Sequence, residues 1–172
     1  MTKEFIKEFT DQSVYTIGEN TTKLITCLGE LEETDIWKQP NENLNSVGNL
    51  ILHLCGNIRQ YAISSLGRIE DTRERDKEFS AHCVYSKSEL IKKLITIVEE
   101  AKNIIQNINS NELLRKRLVQ GYYYSGIGII IHITEHYSYH IGQIIFWTKL
   151  LKNKDMRFYA GIDLNAKNDP PY

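Results

Sequence analysis

The chain has little of what marks a disulfide-rich or nucleic-acid-binding protein. Its cysteines are Cys27, Cys55 and Cys83, an odd number with no C-x-x-C spacing, so a disulfide framework is not expected. Cys27 and Cys55 lie in apolar helical patterns and are predicted to be packed thiols, whereas the role of Cys83 stays open. No block of Lys or Arg stands out in a chain of formal charge −1. We therefore expect no nucleic-acid partner.

Long apolar runs are also scarce. The most apolar region, 126–151, is interrupted by Glu135, Gln143 and three histidines, which makes it a poor membrane span. The first five residues carry charges where a signal peptide would need its apolar stretch. The sequence thus predicts a cytoplasmic protein with no membrane partner.

Proline occurs three times, and none of the three prolines interrupts a periodic segment. Apolar and charged fractions of 41% and 25% are those of an ordinary globular protein. We expect one domain over residues 1–172. Its tail, 155–172, is expected to be either docked on the body or flexible.

Helical spacing of apolar residues predicts four long helices, at about 3–33, 45–67, 86–108 and 126–152. The third has the clearest start, because Ser86-Lys87-Ser88-Glu89 matches a capping box before an apolar run. Four long helices with few turns predict an all-α four-helix bundle with long connections between helices. A locally extended stretch at 118–124 stays open.

Three of the five histidines fall on the fourth predicted helix. Steps of four residues place His132, His136 and His140 along one side of it. The helix is apolar over a wide arc, so this side is expected to face inward. Buried imidazoles without partners are costly, and they are stabilised either by hydrogen bonds or by a metal ion.

His53 is the remaining histidine in a predicted helix. Asn49 and Asn57 lie four residues to either side of it, which gives this apolar helix one polar face. Gly48 and Gly56 lack side chains and would let another helix come close on that side. If the second and fourth helices face each other, His53 would complete a site begun by the histidines of the fourth helix.

Together, His53, His136 and His140 would supply three of the four tetrahedral corners that a zinc-like ion takes. The fourth corner would be left for water or substrate, as in catalytic sites. The alternative is a set of core histidines that bond one another and the backbone without a metal. Spacing and burial leave both interpretations open.

His132 could be an alternative ligand, a hydrogen-bond partner of a ligand or an ordinary core residue. His82 is expected to face solvent or a loop. Five neighbouring polar residues are candidates for contacting substrate or for fixing an imidazole tautomer: Asn49, Asn57, Glu135, Tyr139 and Gln143. Each of them also has an ordinary structural explanation. No H-E-x-x-H or E-x-x-H motif occurs, which excludes the common metalloprotease and di-iron carboxylate patterns.

Three stretches, 45–57, 75–79 and 135–143, resemble the DinB-like (YfiT-like) superfamily of metal-binding four-helix bundles, and within it an uncharacterised bacterial branch. The superfamily pattern is one His on the second helix and H-x-x-x-H on the fourth, which His53, His136 and His140 match. The resemblance implies one divalent ion, zinc or nickel and in some members iron or manganese. It also implies frequent dimers, and thiol S-transferases or isomerases that use small thiols such as bacillithiol or mycothiol.

Two classes of function follow. Three neutral imidazoles leave the ion's charge uncompensated, so it would acidify a bound thiol or water. The first class is therefore a metal-dependent enzyme acting on a small electrophile, either as a thiol S-transferase or as a hydrolase. The second is a non-catalytic protein that binds a metal or a small ligand. A weaker third possibility is a metal-free bundle, and the catalytic residues stay unknown.

Overall fold

A computed structural model describes residues 2–168 and places most of them in helices. Seven α-helices, one π-helical segment and one two-stranded sheet occur in this range. Their bounds are α1 Lys3–Glu30, α2 Glu33–Ile36, α3 Val47–Ile58, the π-helical segment Arg59–Leu66, α4 Arg75–Ser80, α5 Lys87–Gln106, α6 Ser110–Leu114, β1 Arg117–Val119, β2 Tyr122–Tyr124 and α7 Gly126–Lys152. Pro170 and Pro171 lie outside the described residues.

The four predicted long segments are helical and pack on one another. α1 contacts α5 and α7, and α3 contacts the same two helices. Their apolar stripes meet in a core of fully buried side chains that includes Leu24, Ile51, Leu94 and Ile144. The contact between α3 and α7 brings the second and fourth predicted helices together, as the histidine hypothesis requires.

Capping explains two of the helix starts. Ser86 accepts a hydrogen bond from the backbone N–H of Glu89, whose carboxylate accepts one from the Ser86 N–H, which confirms the predicted capping box. Ser46 and Asn49 form the same reciprocal pair at the start of α3. The α3 start is therefore fixed by hydrogen bonds that begin about two turns before His53.

The first predicted helix is shorter than expected and ends at Glu30. Leu31 is extended and buried, and the chain restarts as α2, where Glu32 and Asp35 form a capping box. The second predicted helix changes at Arg59 into π-helical backbone, which continues it to Leu66. Apolar periodicity could not locate either change, because the buried stripe continues through both.

Short elements within the predicted connections are the main correction. α4 and α6 were not predicted, and β1 pairs antiparallel with β2 through a turn at Gln120 and Gly121, which both have positive φ. This two-residue turn with two left-handed positions is typical of a hairpin. The structure is mostly helical, as expected, and the extended stretch that the sequence left open at 118–124 falls on this hairpin.

Cys27 and Cys55 are buried and Cys83 is exposed, which confirms the first two as packed thiols. Burial raises the pKa of Cys55 to about 12, so this thiol is neutral at physiological pH. In the tail, Met156 is buried and Phe158 packs against the core. Within residues 2–168, no helix is both long enough and apolar enough to cross a membrane.

Candidate metal centre

The structure brings His53 of α3 together with His136 and His140 of α7. Nε2 of His53 lies 2.9 Å from Nε2 of His136. The ring centroid of His140 lies 4.9 Å from that of His53 and 4.5 Å from that of His136. One nitrogen from each residue falls within 4.8 Å of the other two. The three histidines predicted from the sequence are therefore placed so that they can hold a metal ion.

The nitrogen spacing is near that of a tetrahedral ion for His53 and His136, and it is wider in the set of three. Zinc lies about 2.0–2.1 Å from imidazole nitrogen, so two nitrogens of one tetrahedral site stand about 3.3 Å apart. The 2.9 Å between the His53 and His136 nitrogens needs to open by a few tenths of an ångström, and a pair at the 4.8 Å limit of the set needs to close by about 1.5 Å. His53 is buried, and His136 and His140 are half-buried.

The three histidines open onto a cleft of about 570 Å³. Its other lining residues come from the loop before α3, from α3, α4 and α7, and from the hairpin turn: Asn45, Asn57, Arg75, Phe79, Gln120 and His132. Among the described residues, the metal-ligating group contains three side chains and no fourth His, Cys, Asp or Glu. A fourth coordination position would thus face the cleft.

A buried ion pair orients His53 from behind. Its Nδ1 lies 3.0 Å from Glu78 Oε2, and Arg73 donates to both oxygens of that carboxylate, at 2.7 and 2.9 Å. Burial alone would raise the pKa of Glu78, but hydrogen bonds from Arg73 and His53 outweigh it and hold the pKa below its ordinary value. Arg73 Nη2 also lies 3.2 Å from Nδ1. With its proton on Nδ1, the imidazole donates a hydrogen bond to the ionised carboxylate, and its Nε2 lone pair is available to a metal.

His140 is oriented in the same way from its own helix. Its Nδ1 lies 2.9 Å from Gln143 Oε1, one turn along α7. The amide oxygen can only accept, so Nδ1 carries the proton and Nε2 is the nitrogen left for a ligand bond. Gln143, a candidate from the sequence, therefore contacts one of the three histidines directly.

Comparison with known protein families adds one finding. Residues 2–162 match the family described as "Protein of unknown function (DUF1572)". The chain belongs to the DUF1572 family. The match spans α3 and α7, the helices that carry the three histidines. No curated protein matches the chain.

In this DUF1572 protein Asn49 anchors α4. Its Nδ2 lies within hydrogen-bonding distance of the backbone oxygens of Glu78, Phe79 and Ala81, at 2.8–3.3 Å. Its Oδ1 accepts hydrogen bonds from Ser46. The residue is buried and does not line the cleft. Its structural effect is to hold the end of the short helix that carries Glu78.

Asn57 and His132 extend the cleft wall away from the cluster. Asn57 Nδ2 lies 3.3 Å from His132 Nε2, and both residues line the cleft. The His132 ring stacks between Tyr61, at 4.2 Å, and His136, at 5.2 Å. His132 thus packs beside a proposed ligand, and it is not one of the three residues that converge.

The remaining candidates lie farther out. Tyr139 is exposed, and its ring meets that of His140 edge-on at 4.9 Å. Glu135 is exposed and lines a separate groove between α1 and α7. His82 is exposed, as expected.

Sequence reasoning gave no role to Glu78 or Arg73. Both fall in a polar stretch that lacks periodicity, and Glu78 meets His53 only across 25 positions of chain. One signal was present in Gly56, a residue without a side chain one turn beyond His53. The space beside Gly56 holds the Glu78 carboxylate, and the space beside Gly48 holds the Trp37 ring. The helix that comes close at Gly56 is therefore α4, through its Glu78 side chain, and at Gly48 the space is taken by Trp37 at the end of α2.

Replacing Gly56 with alanine tests this packing. An added Cβ would overlap the Glu78 carboxylate and touch Arg73, so we expect G56A to unfold at lower urea concentration and to bind zinc more weakly. Gly29→Ala is the matched control, because a Cβ there meets nothing within 4 Å in a helix. It should be neutral, or stabilising by up to about 1 kcal/mol. Equal stability of the two variants would contradict the packing described.

Burial makes the α7 histidines poor bases. Burial, with the charges of His140 and other neighbours, lowers the pKa of His136 to about 3, and burial also lowers the pKa of His132 and His140. All three are therefore neutral at pH 7, the form that binds a metal.

This lowered pKa predicts the acid response of the metal-free protein. An unfolded histidine has a pKa of about 6.5, so between that pH and about 3 only the unfolded chain binds a proton at His136. The free energy of unfolding should therefore fall as the pH drops from about 6.5. Urea unfolding of chelator-treated wild type and His136→Gln over this range measures the effect. The wild type should lose stability more steeply, and identical slopes would contradict the prediction.

Proposed function

We propose that this chain is a metal-dependent enzyme in which His53, His136 and His140 hold one divalent ion, and that it transfers a small thiol onto an electrophile. The observation that carries the proposal is three converging imidazoles beside an open cleft, with no fourth protein ligand among residues 2–168. A closed four-ligand site is typical of structural zinc, whereas an open position is typical of catalytic zinc. Zinc or nickel is the proposed ion.

The donor set supports a divalent ion of this kind. Imidazole suits zinc, nickel, copper and iron, and an all-imidazole set is a poor match for magnesium or calcium, which prefer oxygen. Glu78 accepts a hydrogen bond from Nδ1 of His53, and Gln143 accepts one from Nδ1 of His140. Each contact favours the tautomer with its proton on Nδ1. Two of the three proposed ligands are thus already in the tautomer that a metal needs.

An ion held by three neutral imidazoles would keep its positive charge and lower the pKa of a thiol or water bound there. The protein's own residues would position His53 and line the substrate cleft. The buried Arg73–Glu78 pair holds His53 in place, and the Asn45, Asn57 and Gln120 amides line the cleft where substrate would lie. In the reaction, a sulfur–carbon bond forms, the bond to the leaving group breaks, and the thiol proton passes to solvent.

The thiol part of the proposal is supported by the sequence resemblance. We propose that the family is a branch of the DinB-like superfamily, and that the contacts among α1, α3, α5 and α7 represent its four-helix bundle. His53 lies on the second of these helices, and His136 and His140 lie on the fourth. That is the arrangement the resemblance implies.

Thiol transfer is tested with zinc-loaded and nickel-loaded protein, 1-chloro-2,4-dinitrobenzene and a series of thiols that includes cysteine and bacillithiol. We expect thioether formation above the uncatalysed rate in the loaded wild type, and none in His140→Ala treated identically. A p-nitrophenyl ester measured in parallel reports hydrolysis instead. Retained metal without acceleration of either reaction would contradict the enzyme proposal and favour a non-catalytic metal-binding protein.

A further inference from the structure

The histidine cleft has an unbalanced charge. Of its nine described lining residues, Arg75 is charged at neutral pH and none is a carboxylate. Within residues 2–168, Arg75 takes part in none of the ion pairs. Glu78 lies behind His53 and is already neutralised by Arg73. The cleft therefore offers a cation without a protein counter-ion.

Arg75 is held close to the three histidines. Its guanidinium lies over the Phe79 ring, 4.8 Å from the ring centroid, and that ring lies 4.9 Å from the His53 ring. Stacking on an aromatic face restricts the guanidinium while its N–H donors stay available. An anionic group entering the cleft would thus find a positioned partner one aromatic ring away from His53.

A second cavity, also of about 570 Å³, begins on the other side of His140 and shares Asn45 and His140 with the cleft. We call it the apolar groove, and its main lining side chains are Leu44, Leu50, Phe146, Trp147 and Leu150. Leu44, Phe146 and Leu150 are 50%, 69% and 62% exposed, which is unusual for large apolar side chains grouped around one cavity. The volume is that of a small-molecule site.

We propose that the substrate is a small organic anion with an apolar body, and that His140 stands between the parts that bind its two ends. The anionic group pairs with Arg75, the apolar body lies in the apolar groove, and the reacting atom sits beside the three histidines. This inference rests on the proposed function, because it takes the three-histidine cluster as the reacting centre. The unpaired charge of Arg75 and the two lining residues that the cavities share, Asn45 and His140, carry it.

Three probes on zinc-loaded full-length protein test the proposal by titration calorimetry. They are 4-phenylbutyrate, its neutral amide 4-phenylbutanamide, and butyrate, which lacks the phenyl group. We expect 4-phenylbutyrate to bind most tightly. Loss of the charge and loss of the phenyl group should each raise Kd about tenfold, since one charge-assisted hydrogen bond or one buried ring contributes that much.

Variants assign each part of the probe to its proposed position. Arg75→Gln should raise the Kd of 4-phenylbutyrate about tenfold and leave that of the amide unchanged. Gly142 lines the groove, and a Cβ there meets nothing within 4 Å, so Gly142→Leu should place an apolar side chain in the groove and take up part of its space. Its Kd for 4-phenylbutyrate should approach that of butyrate. Gly29→Leu, an equally open helical glycine on α1, is the control and should bind like wild type.

Equal affinity of wild type for the acid and the amide would overturn the proposal. The proposal would also be overturned if Arg75→Gln kept the wild-type ratio of the Kd for 4-phenylbutanamide to the Kd for 4-phenylbutyrate, or if no probe showed saturable binding. Zinc content is measured first in each protein, because a wild type that retains no zinc contradicts the proposed function separately. In that case the same comparisons on metal-free protein still decide whether Arg75 and the groove bind the anion.

Discussion

Replacing Glu78 with leucine should lower the free energy of unfolding of the metal-free protein by about 3–5 kcal/mol, because it leaves a buried guanidinium without its counter-ion. The Arg73 side chain is only 3% exposed and that of Glu78 only 10%. Urea unfolding measures the effect. Glu74→Gln is the matched control, since that exposed carboxylate pairs with exposed Lys77, and it should change stability by less than about 1 kcal/mol.

The double variant Arg73→Met/Glu78→Leu separates the cost of a broken pair from a general loss of packing. Replacing a whole buried ion pair with apolar residues of similar size is often neutral or stabilising. We therefore expect the double variant to be more stable than E78L. A double variant less stable than E78L would contradict the role given to the pair. Zinc affinity should still fall about 10- to 100-fold in the double variant, because His53 Nδ1 loses its acceptor.

Removing one of the proposed ligands should cost more in metal affinity than removing a group that only orients one. His53→Ala and His140→Ala should each weaken zinc binding by more than about 100-fold, the upper end for loss of an orienting partner. Competition with a chromophoric chelator measures the affinity. The structural reason is that, among the described residues, the group of nitrogens within 4.8 Å of one another contains these three histidines and no fourth.

Two other histidines provide the controls for this experiment. His82→Ala removes an exposed imidazole outside the cleft and should leave zinc affinity unchanged. His132→Ala removes a ring that stacks on His136 and contacts Asn57, so its effect should stay below that of either ligand variant. Equal losses in His132→Ala and His140→Ala would contradict the assignment of the three ligands.

The sequence could predict the three histidines because each follows from a short-range pattern. His136 and His140 are four residues apart on one helix, and His53 lies on another helix with a polar face. The start of α5 was predictable for the same reason, since Ser86 and Glu89 form their hydrogen bonds within one turn. Local spacing therefore singled out the three histidines, whereas the choice of a metal site over hydrogen-bonded core histidines came from the sequence resemblance.

Contacts between distant parts of the chain were not predictable in this way. α4 has six residues, too few for an apolar period, and it is anchored by Asn49 from another helix. Glu78 reaches His53 because Gly56 leaves space and Arg73 supplies the counter-charge. No spacing rule joins these residues, so the network that orients His53 became visible only in the folded structure.

The central claim is that the chain holds one divalent ion on three histidines, and metal content tests it most directly. Wild type and His136→Ala are purified without an affinity tag, incubated with zinc or nickel, freed of unbound metal and measured by elemental analysis. We predict about one equivalent of metal per chain in the wild type and a loss of that metal in His136→Ala. No bound metal in either protein would contradict the claim.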